Sequence, residues 1–577
     1  MESGRAWGVE SGYHDAAGSW HAAADETVSA ILAAMKAGSE APPAGGPLVV
    51  KRGDRVEVPE PELITEDGAT HELSGCLPGD LPLGYHRLAG AGERPLIVCP
   101  ARCHLPRSAR GWGFAVQLYS LLSSGSQGIG DFVDLGQLAT WSSELGARFL
   151  LLNPLHSALP GLPQEPSPYY PSSRRFMNPL YLRVEGLPLV EAGERIERDR
   201  VYPAKLAALE AAWERTGARA DSELRALREA LPGLTDYATF CVLSERLGRP
   251  WQRWPEEYRH PRSAAVARFG AENEGRVRFH EWLQLQLDRQ LAAASGRRTH
   301  LVADVAVGVH PDGADAWAFQ DQLASGISVG APPDPFNRAG QDWGLPPFDP
   351  WRLRAAAYAP FVETLRANFR RAAGLRLDHV MGLFRLFWIP VGSGPEAGAY
   401  VRYPAGELLD VLALESVRAR AYVIGEDLGT VEAEVRQRLR RHRVLSYRLL
   451  WFEPGPPSDY PAEALAALTT HDLPTLFGVW TREDPMPEVR ARLLRETGLK
   501  PNAPPEAVLE AVYRLLAAAP SRLLAATLED LAGVRRRPNR PGTQDSENWT
   551  LRLPLTLEEL RSDPRPRRLA EVLNSDR

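Results

Sequence analysis

Cysteine is scarce in this chain, which has only Cys76, Cys99, Cys103 and Cys241 among 577 residues. A disulfide framework in a protein of this length needs many more cysteines, so the count favours a reducing compartment. Cys99, Cys103 and His104 lie close together, but the segment lacks the second pair of ligands that a zinc site needs. We therefore interpret Cys99 and Cys103 as buried thiols and expect no bound metal.

Long apolar runs are also missing. No window approaches 18 uninterrupted apolar residues, so the sequence predicts no transmembrane helix. The opening segment, MESGRAWGVESGYHDAAG, has no cationic stretch followed by an apolar core, and we expect an unexported, cytoplasmic protein without membrane contacts.

The net charge is only −6 and the Lys and Arg residues are dispersed, which argues against a nucleic-acid partner.

Several widespread catalytic motifs do not occur either. The chain has no P-loop, no GxGxxG after a strand and no HExxH, so it gives no support to the enzyme classes that these motifs define. We expect no cofactor. What is present is an ordinary globular composition, with 44% apolar and 24% charged residues, in a length that suits one large domain with smaller appendages.

The first hundred residues divide into two segments. Val28, Ile31, Leu32 and Met35 form one helical stripe behind Asp25, a predicted N-cap, and this helix runs into a linker rich in Gly and Pro. Residues 1–40 are therefore predicted to be a helical segment with a linker. Residues 41–107 place short apolar runs between Gly, Pro and Asp turns, which predicts a small β-rich module, either a sugar-binding accessory or a packing appendage.

Eight short apolar runs follow, separated by amphipathic or loop segments. They span residues 113–118, 149–155, 300–309, 374–380, 421–428, 444–452, 465–473 and 523–531. Most of them carry an acidic residue at or just past the apolar stretch, a pattern typical of (β/α)8 barrels. We predict an α/β fold, a TIM barrel over residues 108–577 with a large helical insertion at about 185–298. The insertion's tryptophans at helical spacing are predicted core residues: Trp213, Trp251, Trp254 and Trp282.

Three carboxylates stand at the ends of barrel-like strands: Asp378 in LRLDHVMG, Glu426 in VIGEDLG and Asp472 in TTHDLPT. Carboxylates at such positions are costly to bury unless they are paired or functional. Retaining glycosyl transfer needs two carboxyl groups about 5 to 5.5 Å apart, and the consecutive strands of Asp378 and Glu426 can supply that separation. Asp427, directly after Glu426, would help to keep one carboxyl protonated near neutral pH.

The residues around these acids add to the pattern. Arg376 lies two residues before Asp378 and therefore on the same side of the strand, where its guanidinium would hold the carboxylate ionised. His379 and His471 each adjoin an acid. They are either polar groups of the same site or hydrogen-bonded core residues.

From about residue 108 the chain resembles the 4-α-glucanotransferases of glycoside hydrolase family 77, the amylomaltases and disproportionating enzymes. The matching segments occur in one order: LYSLLSSGSQGIGDFVDL (118–135), SPYYPSSRRFMNPLYL (167–182), GAPPDPFNRAGQDWGLPPFDP (330–350), DHVMG, GEDLG, THDLPT and NRPGT (539–543). The resemblance implies transfer of α-1,4-glucan segments between maltooligosaccharides, maltodextrin, glycogen or starch fragments. We expect a monomer or a weak homo-oligomer.

The resemblance also implies roles for single residues. Asp378 would be the nucleophile, Glu426 the acid/base, and Asp472 the third carboxylate, which holds donor-sugar hydroxyls. The remaining implied site residues are Arg376, His379 and His471 around the carboxylates, Tyr169 as a stacking platform, Gln341 and Trp343 in an active-site lid at about 330–350, and Asn539 near the donor sugars.

The chain departs from the family pattern at three places. HDLP stands where many members read HDND, and Glu453 stands where many have an Asp, which leaves an acceptor contact there in doubt. The third strand reads VADVAVGV instead of a GD-type motif, so Asp304 is assigned only a supporting role.

The lid segment is rich in proline, glycine and aromatic residues, including Phe336 and Trp343. This composition predicts a partly rigid apolar cover without regular structure. Such a cover would exclude water, which transfer instead of hydrolysis requires.

Two other functions remain open at this point. An α-amylase-type retaining hydrolase would use the same three carboxylates, although the lid and the absence of a recognisable C-terminal β-sandwich argue against it. A non-catalytic glucan-binding protein would need the aromatic residues without the carboxylates, and all three carboxylates are present.

Overall fold

The computed structural model describes residues 2–575 except for gaps at 16–17, 39–40, 43–44, 108, 190–192, 218–219, 297–298, 334–336, 430 and 544–545, and it leaves out the side chains of residues 2 and 3. Phe336 of the predicted lid therefore lies outside the described residues.

Eight parallel strands form the centre of the molecule, which confirms the predicted TIM barrel. They are β1 (Gly111–Val116), β2 (Phe149–Leu152), β3 (His300–Val305), β4 (Gly374–Leu377), β5 (Tyr422–Gly425), β6 (Ser446–Leu449), β7 (Ala464–Ala467) and β8 (Leu523–Thr527). Neighbours in the chain are neighbours in the sheet, and β8 pairs with β1. A parallel bridge between Ile424 and Leu445 joins β5 to the start of β6 and closes the ring.

The barrel strands are apolar because both of their faces are covered. Every residue of β2, β4, β5, β7 and β8 is buried. Inward-facing side chains fill the interior, among them Val302, Ile424 and Leu465, each fully buried. The barrel is therefore a packed core, and its functional groups must lie at the strand ends.

Helices surround the barrel. Outside the insertion they span Phe132–Glu144, Ala314–Ala318, Pro350–Ala355, Ala359–Phe369, Ala405–Ala419, Ala433–Arg441, Leu476–Thr481, Pro487–Thr497, Pro505–Ala517, Leu528–Leu531, Leu557–Ser562 and Pro564–Ser575. A short antiparallel pair, His156–Ser157 with Ser173–Met177, follows β2.

Between β2 and β3 the described residues form five further α-helices: Arg198–Thr216, Asp221–Ala230, Leu234–Leu247, Ala264–Glu272 and Glu274–Ala294. Trp254 and Trp282 are buried there, and Trp213 and Trp251 pack against the same core, as expected of helical tryptophans in a core.

A four-stranded antiparallel sheet flanks the barrel mouth. Its strand order is Gln341–Leu345, Ile327–Ala331, Arg385–Pro390 and Ala399–Arg402. The prediction of a lid without regular structure was wrong for Gln341–Leu345, because that segment pairs with Ile327–Ala331. The pairing partner begins before the motif and overlaps only its first two residues, and the third strand, Arg385–Pro390, lies well beyond it, so local composition did not reveal the sheet.

The N-terminal residues form two small units. A short helix (Glu2–Ala6), a hairpin (Gly12–His14 with Trp20–Ala22) and a second helix (Asp25–Ala34) come first. A five-stranded sheet follows, made of Leu48–Lys51, Glu62–Ile64, Thr70–Glu72, Gly84–Ala89 and Glu93–Cys99.

The predicted stripe of the N-terminal helix is present. Ile31 and Met35 are buried, and Val28 and Leu32 pack beside them. The prediction of Asp25 as N-cap was wrong: Ala24 is the N-cap, and Asp25 is the first helical residue. Acidic residues are favoured in the first turn by the helix dipole as well as at the N-cap, so an Asp near the start of a helix does not distinguish the two positions.

None of the described helices is both long and apolar enough to cross a bilayer.

Candidate active site

Two acidic residues stand side by side where β4 and β5 end. Asp378 follows β4 directly and Glu426 follows β5 directly, and Leu377 is paired with Gly425 in the register between them. The Glu426 amide donates to the Leu377 carbonyl at 3.0 Å, so the pairing between β4 and β5 continues as far as Glu426. Because neighbouring strands lie about 4.8 Å apart, the two side chains start from adjacent positions at the same rim.

Backbone amides hold the Glu426 carboxyl group. The amides of His379 and Leu428 donate to its two oxygens at 2.9 and 2.7 Å. His379 can present its amide there because it adopts a left-handed conformation, with φ of 44°. Burial and, after it, the charge of Asp378 raise the pKa of Glu426 to about 7, although Arg376 and the two amides oppose the rise. Glu426 is thus suited to exchange a proton near neutral pH.

Asp427 does not have the predicted effect on Glu426. Its carboxylate is buried, accepts from the Tyr447 amide at 2.8 Å, and is paired with Arg436 and Arg448 at 3.4 Å each. These partners neutralise it. The negative charge that raises the pKa of Glu426 is that of Asp378.

Arg376 lies beneath the two acids and links two barrel strands. Its guanidinium donates to both oxygens of Asp304, at 2.7 and 2.6 Å, and to one oxygen of Asp378 at 2.9 Å. The Tyr169 hydroxyl also donates to Asp304, at 2.6 Å. Burial acts to lower the pKa of Arg376, but Asp304 and Asp378 raise it well above its usual value. A permanent positive charge therefore orients the Asp378 carboxylate.

Asp472 lies opposite, in the loop after β7. The Asn539 side chain donates to it at 2.7 Å, and His471 lies 3.5 Å from its other oxygen. Burial alone would raise the pKa of Asp472, but His471 and Asn539 outweigh burial and lower it. The pKa of His471 is raised in turn, because Asp472 offsets the effect of burial. Asp472 is therefore held as an anion.

One open cleft of about 1480 Å³, its solvent-filled mouth included, brings most of the predicted residues together. Its lining includes Asp378, Glu426, Asp472, His379, His471, Tyr169, Gln341, Trp343 and Asn539. Arg376 and Asp304 are not part of that lining and lie below it, in the barrel interior. Glu453 also lies outside the cleft lining and pairs with Arg448 at 3.0 Å.

The lid strand forms one wall of the cleft. The Trp343 ring meets His379 edge-on at 5.2 Å, and its indole nitrogen donates to Gln341 at 3.3 Å. The Tyr170 hydroxyl donates to the Gly344 carbonyl at 3.3 Å, which ties the strand to the segment that carries Tyr169.

Sequence reasoning missed several residues of the cleft, of which Trp549 is the largest. It follows the NRPGT motif by six residues, and its ring packs against Tyr169 and His471. Its closeness in sequence to the NRPGT motif is the only signal by which the sequence could have indicated that Trp549 belongs to the cleft. Glu165 and Tyr170 also line the cleft. Tyr170 lies within the matched segment 167–182, and Glu165 precedes that segment by two residues. Within the described residues, no three His, Cys, Asp or Glu side chains are grouped so that they could hold a metal ion.

Comparison with known proteins gives consistent matches. A family model described as 4-alpha-glucanotransferase matches residues 116–556. The 4-alpha-glucanotransferase of Mycobacterium tuberculosis is 43% identical, with 87% of this chain and 81% of that protein covered. That of Haemophilus influenzae is 35% identical, with 70% of this chain and 66% of that protein covered.

Solved structures agree with these relatives. The amylomaltase from Corynebacterium glutamicum superposes with a TM-score of 0.85 at 31% identity and covers 99% of both chains. An amylomaltase from Streptococcus agalactiae, solved in complex with acarbose, has a TM-score of 0.72 at 20% identity over 81% of this chain and 99% of that one, and shares the fold.

Proposed function

The chain belongs to the 4-alpha-glucanotransferases of glycoside hydrolase family 77, and from this premise we propose that Asp378 and Glu426 carry out glycosyl transfer by retaining double displacement. It is an enzyme of the 4-alpha-glucanotransferase type that acts on α-glucans. The hydrolase alternative is not favoured, because the matched family and relatives are named as transferases.

One observation carries the mechanism. Glu426 has a pKa raised to about 7 beside Asp378, which Arg376 orients from below. Retaining enzymes need one protonated and one ionised carboxyl group on neighbouring positions, and this pair supplies both.

In the first step the Asp378 carboxylate attacks the anomeric carbon of the donor glucan. The bond from that carbon to the bridging oxygen breaks, and the Glu426 carboxylic acid gives its proton to the oxygen. The products are a glycosyl ester on Asp378, a shortened chain with a free 4-hydroxyl, and ionised Glu426.

In the second step the acceptor's 4-hydroxyl replaces the leaving chain. Glu426 takes the proton from this hydroxyl while its oxygen attacks the anomeric carbon, and the bond to Asp378 breaks. Two inversions give net retention, and both carboxyl groups return to their starting states.

The other cleft residues hold the sugars. Asp472, kept anionic by His471 and Asn539, is placed to bind donor hydroxyls and to stabilise positive charge on the ring in the transition state. Tyr169 and Trp343 offer aromatic faces. The remaining proposed substrate contacts are His379, Gln341 and Asn539, with Arg376 and Asp304 orienting the acids from below.

The lid favours transfer by limiting the access of water to the glycosyl ester. The strand Gln341–Leu345 is fixed on one side by the sheet and on the other by Tyr170, so it can cover the cleft without folding anew at each turnover.

The finer features of the enzyme are also proposals. We propose maltooligosaccharides, maltodextrin and glycogen or starch fragments as substrates, a cytoplasmic location, and a monomer or weak homo-oligomer. Residues 1–40 and 41–107 are proposed as separate N-terminal segments, and residues 108–577 as the catalytic barrel with its insertion at about 185–298. Cell fractionation and light scattering would test the location and the oligomeric state.

Incubation with maltotriose tests the activity. A ladder of longer oligosaccharides together with free glucose is the expected result, since each transfer lengthens one chain and shortens another. Glucose and maltose alone would mean hydrolysis and would overturn the proposal.

A further inference from the structure

Trp549 has a strained backbone. Its φ is 61°, in the left-handed region that a bulky residue adopts only when the surrounding structure imposes it. The flanking chain does impose it: the Trp549 amide donates to the Pro538 carbonyl at 2.9 Å, and the Thr550 carbonyl accepts from the Ile196 amide at 2.8 Å. Strain of this kind is often retained at functional sites, and Trp549 lines the active-site cleft.

This backbone conformation places the indole ring of Trp549 against the rings of Tyr169 and His471. Trp549 is only 6% exposed, and its ring lies 5.3 Å from Tyr169 and 5.1 Å from His471, centre to centre. Tyr169 and His471 are themselves 4.7 Å apart, so the three rings form a closed cluster. The Tyr119 ring supports the indole from behind at 6.4 Å.

Two of these rings contact carboxylates of the active site. His471 faces Asp472 at 3.5 Å, and the Tyr169 hydroxyl donates to Asp304 at 2.6 Å. A rotation of either ring would change those contacts. The indole has no ionisable group of its own in the working pH range, so it cannot exchange a proton with the substrate, but it can act on both carboxylates through the rings it touches.

We propose that Trp549 is a positioning residue for glycosyl transfer, whose indole fixes the rings of His471 and Tyr169 and, through His471, the Asp472 carboxylate. This inference rests on the proposed function. A displacement of about 1 Å among the groups that react can lower the rate roughly a hundredfold. A residue that holds these groups in place can therefore control turnover without touching the reacting atoms.

The test compares three variants with maltotriose as substrate. Trp549→Leu removes the aromatic contacts, Trp549→Phe keeps part of them, and Trp480→Leu is a matched control, because Trp480 is also 6% exposed and is not part of the cleft lining. We expect kcat to fall roughly ten- to a hundredfold in Trp549→Leu with KM changed much less, a smaller fall in Trp549→Phe, and wild-type kinetics in folded Trp480→Leu.

The outcomes separate two failures. If wild-type enzyme makes no ladder from maltotriose, the proposed function fails. If it does, and Trp549→Leu keeps the wild-type kcat or loses activity only through KM, the positioning role is wrong. Should circular dichroism show that Trp549→Leu is unfolded, Trp549→Phe decides: a kcat equal to that of the wild type overturns the inference, and a lower kcat at unchanged KM supports it.

Discussion

At the scale of single residues, the central feature is a carboxyl group that titrates near neutral pH. Glu426 has a pKa raised to about 7 because it is buried and lies beside Asp378. The first step needs its protonated form, so we expect kcat/KM with maltotriose to decline as pH rises through about 7. A pH–rate profile measures this. A rate that stays constant well above pH 7 would mean that another group supplies the proton.

The same titration makes a prediction about stability. The folded pKa of Glu426, about 7, lies above the ordinary value of 4.5, so between these two pH values the native state binds more protons than the unfolded state. The favourable contribution is full below pH 4.5 and is lost as pH rises through 7. Replacement by Gln should weaken this pH dependence of the unfolding midpoint. Identical profiles for the wild type and the Gln variant would contradict the raised pKa.

Stacking residues give a third expectation at this scale. Trp343→Ala and Tyr169→Ala should each lower kcat/KM by an amount equivalent to about 1 to 3 kcal/mol, if the rings pack on sugar faces in the transition state. Steady-state kinetics with maltotriose are the measurement. Wild-type kinetics in both variants would remove Tyr169 and Trp343 from the substrate contacts.

How far the sequence predicts single residues depends on whether their partners are local. Arg376 beside Asp378 follows from strand alternation alone, and the contact is present. The neutralisation of Asp427 depends on Arg436, Arg448 and the Tyr447 amide, which reach it through the fold. Trp549 reaches Tyr169 across more than 350 residues of sequence, and no local pattern encodes such a contact.

At the scale of elements, the lid strand permits a sharp test. Gly344 has φ of 68°, and a Cβ placed on it would lie 2.9 Å from the Tyr170 hydroxyl. Gly344→Ala should therefore displace the strand from Tyr170 and admit water. We expect the hydrolysed share of donor bonds to rise several-fold, as measured by glucose release against ladder formation.

Gly326→Ala is the matched control for this substitution. Gly326 also has a positive φ, 76°, but a Cβ there would meet no atom within 4 Å. It carries the same backbone strain without the clash. An equal rise in hydrolysis in both variants would mean that general loosening, not the contact with Tyr170, is responsible.

The elements themselves were predictable to different degrees. Each of the eight apolar runs overlaps a barrel strand, because a strand covered on both faces is largely apolar. The strand Gln341–Leu345 was not predicted, since it lies at the rim, is partly exposed, and owes its conformation to pairing with Ile327–Ala331.

At the scale of the whole molecule, the N-terminal sheet is tied to the barrel by a buried contact. The Tyr85 hydroxyl donates to Glu415 at 2.6 Å, and the ring lies between the guanidinium groups of Arg366 and Arg418 at 5.0 and 5.1 Å. Tyr85→Phe leaves one oxygen of a buried carboxylate with fewer donors. We expect a loss of about 1.5 to 3 kcal/mol in unfolding free energy, seen as a lower thermal midpoint.

The kinetics of this variant distinguish the two interpretations of residues 41–107. A packing appendage predicts that Tyr85→Phe keeps the wild-type kcat and KM for maltotriose and for long glucans alike. A raised KM for long glucans alone, with no loss of thermal stability, would instead indicate a sugar-binding accessory.

The most direct test of the mechanism is to trap the glycosyl ester. Glu426→Gln cannot protonate a sugar leaving group, but fluoride departs without a proton, so an α-glucosyl fluoride should load the nucleophile and the intermediate should persist. Intact-protein mass spectrometry should then show one added glucosyl unit, and digestion should map it to the peptide that contains Asp378. An adduct on another carboxylate, or no adduct together with inverted anomeric configuration in the wild-type products, would contradict the retaining mechanism on Asp378.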